Sequence, residues 1–555
     1  MIDNSTLSDY FALLSKLSDI HGENEFKVKA YAAAAFAIDK LPVQLASSNT
    51  SEIASFKGIG SSNAQKIIEV LETGKLEALE QLVAKTPSGV FDMLSIKGLG
   101  PKKIRTIWKE MEIESLGELL YACQEDRLKR FKGFGEKTQQ QVIENIEFFH
   151  RNIGRFLYAQ VDALLPAYQS WLSEQFPEQP FHLSGQFAQQ LEIIDQLVWV
   201  TSATFDEIEN RFSNSIGYTL KEKESDKAVW STPVGPDWMI YFGVENCIEK
   251  SIRLSCSDDV WQKINSSDQI DFTDEIDWFK QNNLPFIPPF IRDNIKLVEN
   301  IIRQPQSPCI QPTDIRGIIH CHSIWSDGKN TLREMAVDAI NRGLDYMVIS
   351  DHSQSAFYAN GLSPERVYEQ HLEIERLNLE FAPFKIFKSI ESDILGDGSL
   401  DYPAEILDRF DLVIASIHSN LKMSLEKAML RLFNAINNPF TSILGHPTGR
   451  LLLSRSGYPI NHEEIIDACV KNDVVIEINA HPSRLDLDWR FIEMALEKDA
   501  LLSINPDAHQ LEGFDDVGYG IKVAQKAWLT PQKNLSSFRI AEMEEFVERQ
   551  KLKRS

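Results

Sequence analysis

From residue 315 onward the chain repeats one pattern of hydrophobic and polar positions. A short run of consecutive apolar residues ends on a polar one, and a stretch with apolar residues at helical spacing follows. The runs are 317–322, 346–352, 386–391, 412–418, 442–446, 474–479 and 501–509, and all but one end on histidine or glutamate. Continuous apolar runs of this length predict strands buried on both faces, and stretches such as 331–340 predict the helices between them. The spacing matches a βα unit of about 30 residues. Seven units in series therefore predict a C-terminal α/β domain, a distorted (βα)7 relative of the (β/α)8 barrel, with its chemistry at the C-terminal strand ends.

Upstream the pattern changes. Phe56-Lys57-Gly58-Ile59-Gly60, Ile96-Lys97-Gly98-Leu99-Gly100 and Phe131-Lys132-Gly133-Phe134-Gly135 each open a helical pattern. A Gly-x-Gly turn between two helices brings backbone amides close to a phosphate at the next helix N-terminus. Three copies predict an all-α helix-hairpin-helix region that grips a DNA backbone without reading sequence, through Gly58, Gly60, Gly98, Gly100, Gly133 and Gly135. The plain reading of any one copy is an αα-turn.

The polar strand ends carry the candidate chemistry. His320 and His322 lie two apart on one strand, so both side chains are expected on one face. His352, Glu391, His418, His446, Asp507 and His509 come from other strand ends, and Asp327 lies in the turn Ser326-Asp327-Gly328. Imidazole and carboxylate without thiolate favour zinc, manganese or iron, with magnesium a further candidate; nine ligands imply two or three divalent ions. Singly, each histidine reads as a satisfied core or surface residue. Arg450 and Arg455, just past His446, are candidate phosphate clamps.

Composition narrows the class. A chain of 555 residues with 43% apolar content predicts three or four domains with packed cores. No run of 18 apolar residues occurs and the first residues lack a signal-peptide pattern, so a soluble, cytoplasmic, monomeric protein without membrane partners is expected. Six cysteines without a Cys-x-x-Cys pair predict reduced thiols. A net charge of −24 argues against a generally basic nucleic-acid binder. Residues 1–150 hold 18 basic against 21 acidic side chains, so they are the better place for a phosphate backbone.

Taken together, Arg316–Ser323, Trp325–Gly328, Ser350–Ser353, Glu391–Asp393, Gly445–Arg450 and Pro506–His509 resemble the PHP phosphoesterase domain of bacterial family X DNA polymerases. The resemblance covers most of residues 315–535. It implies a trinuclear site in which one ion takes His320, His322, Glu391 and Asp507, a second Glu391, His418 and His446, and a third Asp327, His352 and His509. Catalytic roles would fall on Glu391, Asp327 and Arg450. Ile318 replaces an aspartate common in relatives, at a position that is not a ligand. Residues 22–31 with 58–69 resemble the family's N-terminal lyase-type domain, and Lys66 falls where lyase-competent members carry the Schiff-base lysine. A lysine nucleophile needs a depressed pKa; a solvated or phosphate-binding Lys66 is the plainer reading.

The resemblance implies the multidomain order 1–80 lyase-type helical domain, 81–150 helix-hairpin-helix fingers, 151–295 α+β nucleotidyltransferase-like palm and thumb, 296–314 linker and 315–555 PHP barrel. Leu284–Asp293 matches the family's closing signature. The palm departs from the pattern of Gly-Ser, two arginines and two aspartates one residue apart. Ungapped, the aspartates become Gln196 and Val198 and the arginines Ala188 and Gln189; sliding by one recovers only Asp195, and the register of Asp237 is open. Two-metal nucleotidyl transfer needs those groups. The expectation is a metal-dependent phosphoesterase on gapped, nicked or 3′-blocked DNA, a 3′-5′ exonuclease, 3′-end processing or abasic-site enzyme, with a degenerate palm. The alternatives are an active gap-filling polymerase with exonuclease, and a DNA-binding scaffold without activity.

Overall fold

The computed structural model describes residues 2–41, 43–124, 126–265, 272–303 and 308–554. It divides into two compact units, Met1–Ile153 and Gly154–Ser555.

The first unit is all helical. Helices Asn4–Ile20 and Glu25–Asp39 pack with Gly60–Thr73 around Leu7, Phe11, Leu14, Ile38, Ile67 and Val70, all essentially inaccessible. Pro101–Arg105 and Glu136–Asn152 follow the second and third Gly-x-Gly turns. Gly98 and Gly133 sit at φ +87° and +94°, where a side chain would strain the turn. Gly100 and Gly135 differ, for they are extended N-cap residues whose added Cβ would meet nothing within 4 Å. The first copy departs from the other two: Gly60 is itself at φ +69° and begins its helix. Lys66 lies half-buried on that helix.

The second unit opens with a five-stranded mixed sheet. Its strands are β1 (His182–Ser184), β2 (Gln196–Val200), β3 (Thr219–Lys223), β4 (Lys227–Ser231) and β5 (Asp237–Tyr241), in the spatial order β1-β2-β5-β4-β3. Leu197, Trp199, Trp238 and Ile240 point into an aromatic core. The register pairs Gln196 with Asp237 and Val198 with Met239 on the opposite face. This answers the question of alignment. Asp195 precedes the strand, bonded to Gln186 and Arg155, so sliding by one residue does not place it on the β2 face. Asp237 is the one carboxylate among these four facing positions, and Lys221 clamps both its oxygens at 2.7 and 2.9 Å.

The barrel strands are β6 (Gly317–Cys321), β7 (Tyr346–Ile349), β8 (Lys385–Asp393), β9 (Leu412–Ser416), β10 (Ile443–Leu444), β11 (Val475–Asn479) and β12 (Leu502–Asn505). All pair in parallel and in chain order. The ring nearly closes, because Cys321 bridges Ala508 and the His322 amide donates to the Ala508 carbonyl at 2.8 Å. Inside, Ile319, Val348, Phe387, Ile414 and Ile443 fill the barrel. Helix Ile540–Leu552, charged along most of its length, inserts Met543, Phe546 and Val547 into the same cluster. The apolar stripe on its inner face was masked by the charge around it.

Residues 296–303, expected to be linker, are a helix instead. Ile295–Arg303 buries Val298 and packs Ile295, Leu297, Ile301 and Ile302 against the preceding helices. Lys296 pairs with Glu493 of the barrel at 2.9 Å. Residues 304–307 of the expected linker lie outside the described residues, and Ile310 beyond them is buried and bonded to Leu529. Palm and barrel are joined directly too: Glu192 accepts from Trp489 and Arg490, and buried Lys526 donates to the Gln189 and Phe290 carbonyls and to Asp293. Among the described residues no helix is long and apolar enough to cross a membrane.

Arg292 of the closing signature anchors this region. Fully buried, it donates to the Ile287 carbonyl at 2.9 Å, Ser255 at 3.2 Å and Glu275 at 2.6 Å. Replacing Arg292 with Met removes these bonds and leaves the Ile287 carbonyl without its donor and Glu275 without its cation, while Ser255 keeps the Ser251 and Ile252 carbonyls, an expected loss of about 3 kcal/mol. A urea titration followed by tryptophan fluorescence checks it. An unshifted midpoint would remove Arg292 from this role.

Candidate metal centre

At the C-terminal end of the barrel, Glu391 on β8 is the hub. Its carboxylate, 1% exposed, lies 3.2 Å from His320 Nε2, 3.7 Å from His322 Nε2, 2.9 Å from His352 Nδ1, 3.1 Å from His418 Nε2 and 3.0 Å from His446 Nε2. Asp507 approaches His322 Nε2 to 3.2 Å and His320 Nε2 to 3.6 Å. Asp327 at the rim lies 3.4 Å from His509 Nε2 and 3.7 Å from His352 Nε2. All nine expected ligands therefore meet in one cage.

Local backbone geometry puts them there. The pairing of β6 shifts register between Ile319 and Cys321, and His320 has φ +62°. Simple strand alternation is thus not what brings His320 and His322 together; a bulge re-aims His320. Asp507, at φ +54°, is a second strained residue in the cage. Asp327 is set by a turn in which a Cβ on Gly328 would lie 2.2 Å from the His322 carbonyl oxygen. Buried Asp351 secures that turn, accepting from the Ser323 and Ser326 amides and hydroxyls and from Gln370.

Several supporting residues were missed in the sequence. Glu477 is fully buried, accepts from His320 Nδ1 at 2.6 Å and from the His446 amide at 3.0 Å, and is held by Asn479 and Asn505. Asp393 does the same for Nδ1 of His418. Both carboxylates fix the proton on the outer ring nitrogen and aim the inner one into the cage. The signal available was a carboxylate two residues past a candidate ligand (Asp393) and one in mid-strand (Glu477). Arg484 approaches Asp507 at 3.4 Å.

Arg450 requires a correction. Its guanidinium donates to the Arg484 and Leu485 carbonyls and to Asp488, which uses its donors to hold the 484–488 segment rather than a phosphate. Arg455 likewise donates to the Gly449 carbonyl.

The electrostatics divide the imidazoles into two kinds. Burial opposes charge on His320, but Glu477, Glu391 and Asp507 outweigh it and raise its pKa well above the ordinary value. Burial likewise works against His418 and His509, yet Glu391 and Asp393 lift the first to about 10, and Asp327 and Asp507 lift the second to about 9. Burial together with His509 and His352 pulls His322 down to about 3, and burial with Arg484 lowers His446. Glu391, despite burial, is held well below the carboxylate range by His418, His320 and His352.

The donor set fits divalent cations. Nε2 of His320, both ring nitrogens of His322, Nδ1 of His352 and Oε2 of Glu391 are buried without hydrogen-bond partners. Such orphaned atoms are costly unless a cation satisfies them. Three groupings place one ligand atom from each residue within 4.8 Å of the others: His322, Asp327, His352 and His509; His320, His322 and Glu391; His352, Glu391 and His418.

A parallel seven-stranded barrel with an imidazole and carboxylate cage at its C-terminal end defines a PHP domain, here joined to a palm-like sheet and a helical hairpin region. A family model described as a helix-hairpin-helix domain matches residues 2–76, and one described as a SAM-like helix-hairpin-helix tandem matches 90–147. The DNA polymerase/3′-5′ exonuclease PolX of Bacillus subtilis (strain 168) is 30% identical over 557 aligned residues, 96% of this chain and 97% of that protein. A probable phosphatase of Caldanaerobacter subterraneus subsp. tengcongensis is 32% identical over 165 residues, 29% of this chain and 60% of its own length. Another, from Thermoanaerobacter sp. (strain X514), is 26% identical over 249 residues, 42% of this chain and 95% of its own. The chain belongs to the PolX family, the bacterial family X polymerases that carry a C-terminal PHP domain.

Replacing Glu477 with Gln keeps its shape but weakens its hold on His320 Nδ1. Metal affinity is expected to fall by about 10- to 100-fold with the fold intact. Titration with Mn²⁺ or Zn²⁺ followed by calorimetry measures it, and an unchanged affinity would make Glu477 a packing residue only.

Proposed function

We propose that the chain is a metal-dependent phosphoesterase that acts on DNA ends or abasic sites, with a palm that no longer polymerises. The observation that carries this reading is the cage itself, where five imidazoles converge on one buried carboxylate. His320, His322, Glu391 and Asp507 would hold one ion, Glu391, His418 and His446 a second, and Asp327, His352 and His509 a third. Zinc, manganese or iron suits this ligand set, with magnesium the harder alternative. Bound there, divalent ions supply Lewis acidity toward a phosphate oxygen and offset charge on the leaving oxygen.

The chain's own residues supply the rest. Glu477 and Asp393 keep His320 and His418 in one tautomer and orientation. Asp327, a third exposed at its side chain and held well below its usual pKa by His509 and His352 despite burial, stays anionic at the mouth, where it would hold the third ion and accept a hydrogen bond from an incoming water. Arg484 balances Asp507. The relative named as a 3′-5′ exonuclease supports polarity from a 3′ end, and the probable phosphatases support phosphate-ester hydrolysis. The hairpin turns support DNA as the polymer, and cytoplasmic, monomeric action on gapped, nicked or 3′-blocked ends is the setting that suits such a chain.

The palm supports loss of polymerisation. Gln196, Val198 and Met239 occupy its open face beside a single lysine-paired Asp237, and a Cβ on Gly185 would press Val198 at 2.8 Å. One carboxylate already clamped by a lysine leaves two ions short of the ligands that nucleotidyl transfer needs.

With Mn²⁺ and end-labelled single-stranded, gapped, 3′-phosphate and abasic substrates, wild-type protein should cleave and Glu391→Ala should lose at least 100-fold in rate together with metal content. In the same gapped duplex no labelled nucleotide should be incorporated. Incorporation that survives substitution of His320 and His322 but not Asp237→Ala would overturn the silent palm, and full activity of Glu391→Ala would overturn the cage.

The hairpins give a separate expectation. Gly100→Val and Gly135→Val add side chains where the fold has open space, so they should leave melting unchanged while blocking phosphate approach. Binding should weaken about 10-fold alike on unrelated DNA sequences. Loss on one sequence only, seen by fluorescence anisotropy, would count against backbone gripping.

A further inference from the structure

Two large aromatic side chains stand exposed beside the cage without a structural reason to be there. Phe357 is 88% and Tyr358 71% exposed, on the short helical turn Phe357–Ala359 that follows the ligand His352. The Tyr358 ring lies 6.3 Å from the His352 ring, centroid to centroid.

The turn is held in place. Ser355 donates from its amide to Asp401 at 2.7 Å and from its hydroxyl to Asp393 at 2.7 Å, and Gln354 donates to the Asp401 carbonyl at 2.8 Å. Asn360, at φ +53°, donates to the Trp325 and Ser326 carbonyls, and Arg366 ties the Asn360 and Trp325 carbonyls together. A Cβ on Gly361 would lie 1.9 Å from the Ser353 oxygen, so the segment is pressed onto the end of the His352 strand. A fixed loop that displays two aromatic faces to solvent is unusual in a protein surface, and it lies within one side chain of the reacting centre.

We propose that Phe357 and Tyr358 form a stacking platform for the base of the nucleotide that adjoins the scissile phosphate. This rests on the reading of the cage as a nucleic-acid phosphoesterase and deepens it: the substrate end must be single-stranded or frayed, since a paired base offers no free face to a ring. Aromatic faces suit every base, so the platform selects nucleotides over other phosphate esters without selecting sequence.

The test uses the full chain and a single-stranded oligonucleotide with 2-aminopurine as its 3′-terminal base, whose fluorescence falls on stacking. Wild-type protein should quench it. Phe357→Ala and Tyr358→Ala should each remove most of the quench, Tyr358→Phe should keep it and Tyr358→Leu should not, with melting temperatures unchanged. On labelled oligonucleotides, each alanine variant should lose about 10-fold in kcat/KM when a base is present at the end and nothing when the terminal residue is abasic. A quench that persists in both alanine variants, its absence in wild-type protein, or equal losses on abasic ends would overturn the platform. Quenching without cleavage of any oligonucleotide would instead overturn the phosphoesterase reading and leave the platform standing.

Discussion

A carboxylate buried to 1% exposure must be paired, and the structure of the whole C-terminal half follows from how Glu391 is paired. Burying such a charge alone would cost far more than the net stability of a domain. The compensating groups arrive from β6, β7, β9 and β10 or the loops just past them, so only a barrel that brings these strand ends together can bury the charge at all. That requirement explains why His320 and Asp507 tolerate left-handed backbone. The cage over-determines them, and cations would complete the neutralisation that the protein begins.

The same logic separates what the sequence displayed from what it hid. The strands were legible because residues such as Tyr346–Ile349 are buried on both faces, and a parallel sheet covered by helices demands consecutive apolar residues. The nine cage residues were legible because polar side chains of a barrel gather at its strand ends. Glu477 was not, since it lies within a strand and differs from its neighbours only in facing the cage. Arg450 was misread because an arginine beside a ligand looks the same in sequence whether it faces phosphate or three backbone and carboxylate acceptors. The helix Ile295–Arg303 was hidden by the Gln and Pro residues that follow it.

The palm-like sheet is held together from one face. Trp199, Trp238, Trp230 and Phe212 keep the sheet packed, while the opposite face holds Val198 and Met239. The aromatic core lies on the other face, so core packing places little demand on the residues here. What remains constrained is the side that meets the barrel, where Glu192 and Lys526 are tied across the joint. The sheet is thus fastened to the barrel as well as to its own core.

Closure through Cys321 and Ala508, with Met543 and Phe546 plugging the other end, carries a consequence for biosynthesis. The helical unit is complete at residue 153, whereas the cage lacks Asp507 and His509 and the barrel lacks its plug until residue 547 or so has emerged. At ordinary elongation rates that interval is roughly 20 to 80 s. During it each nascent chain carries finished hairpins and an unmade cage, so the order of the domains along the polypeptide sets the hairpins in place well before the cage can form.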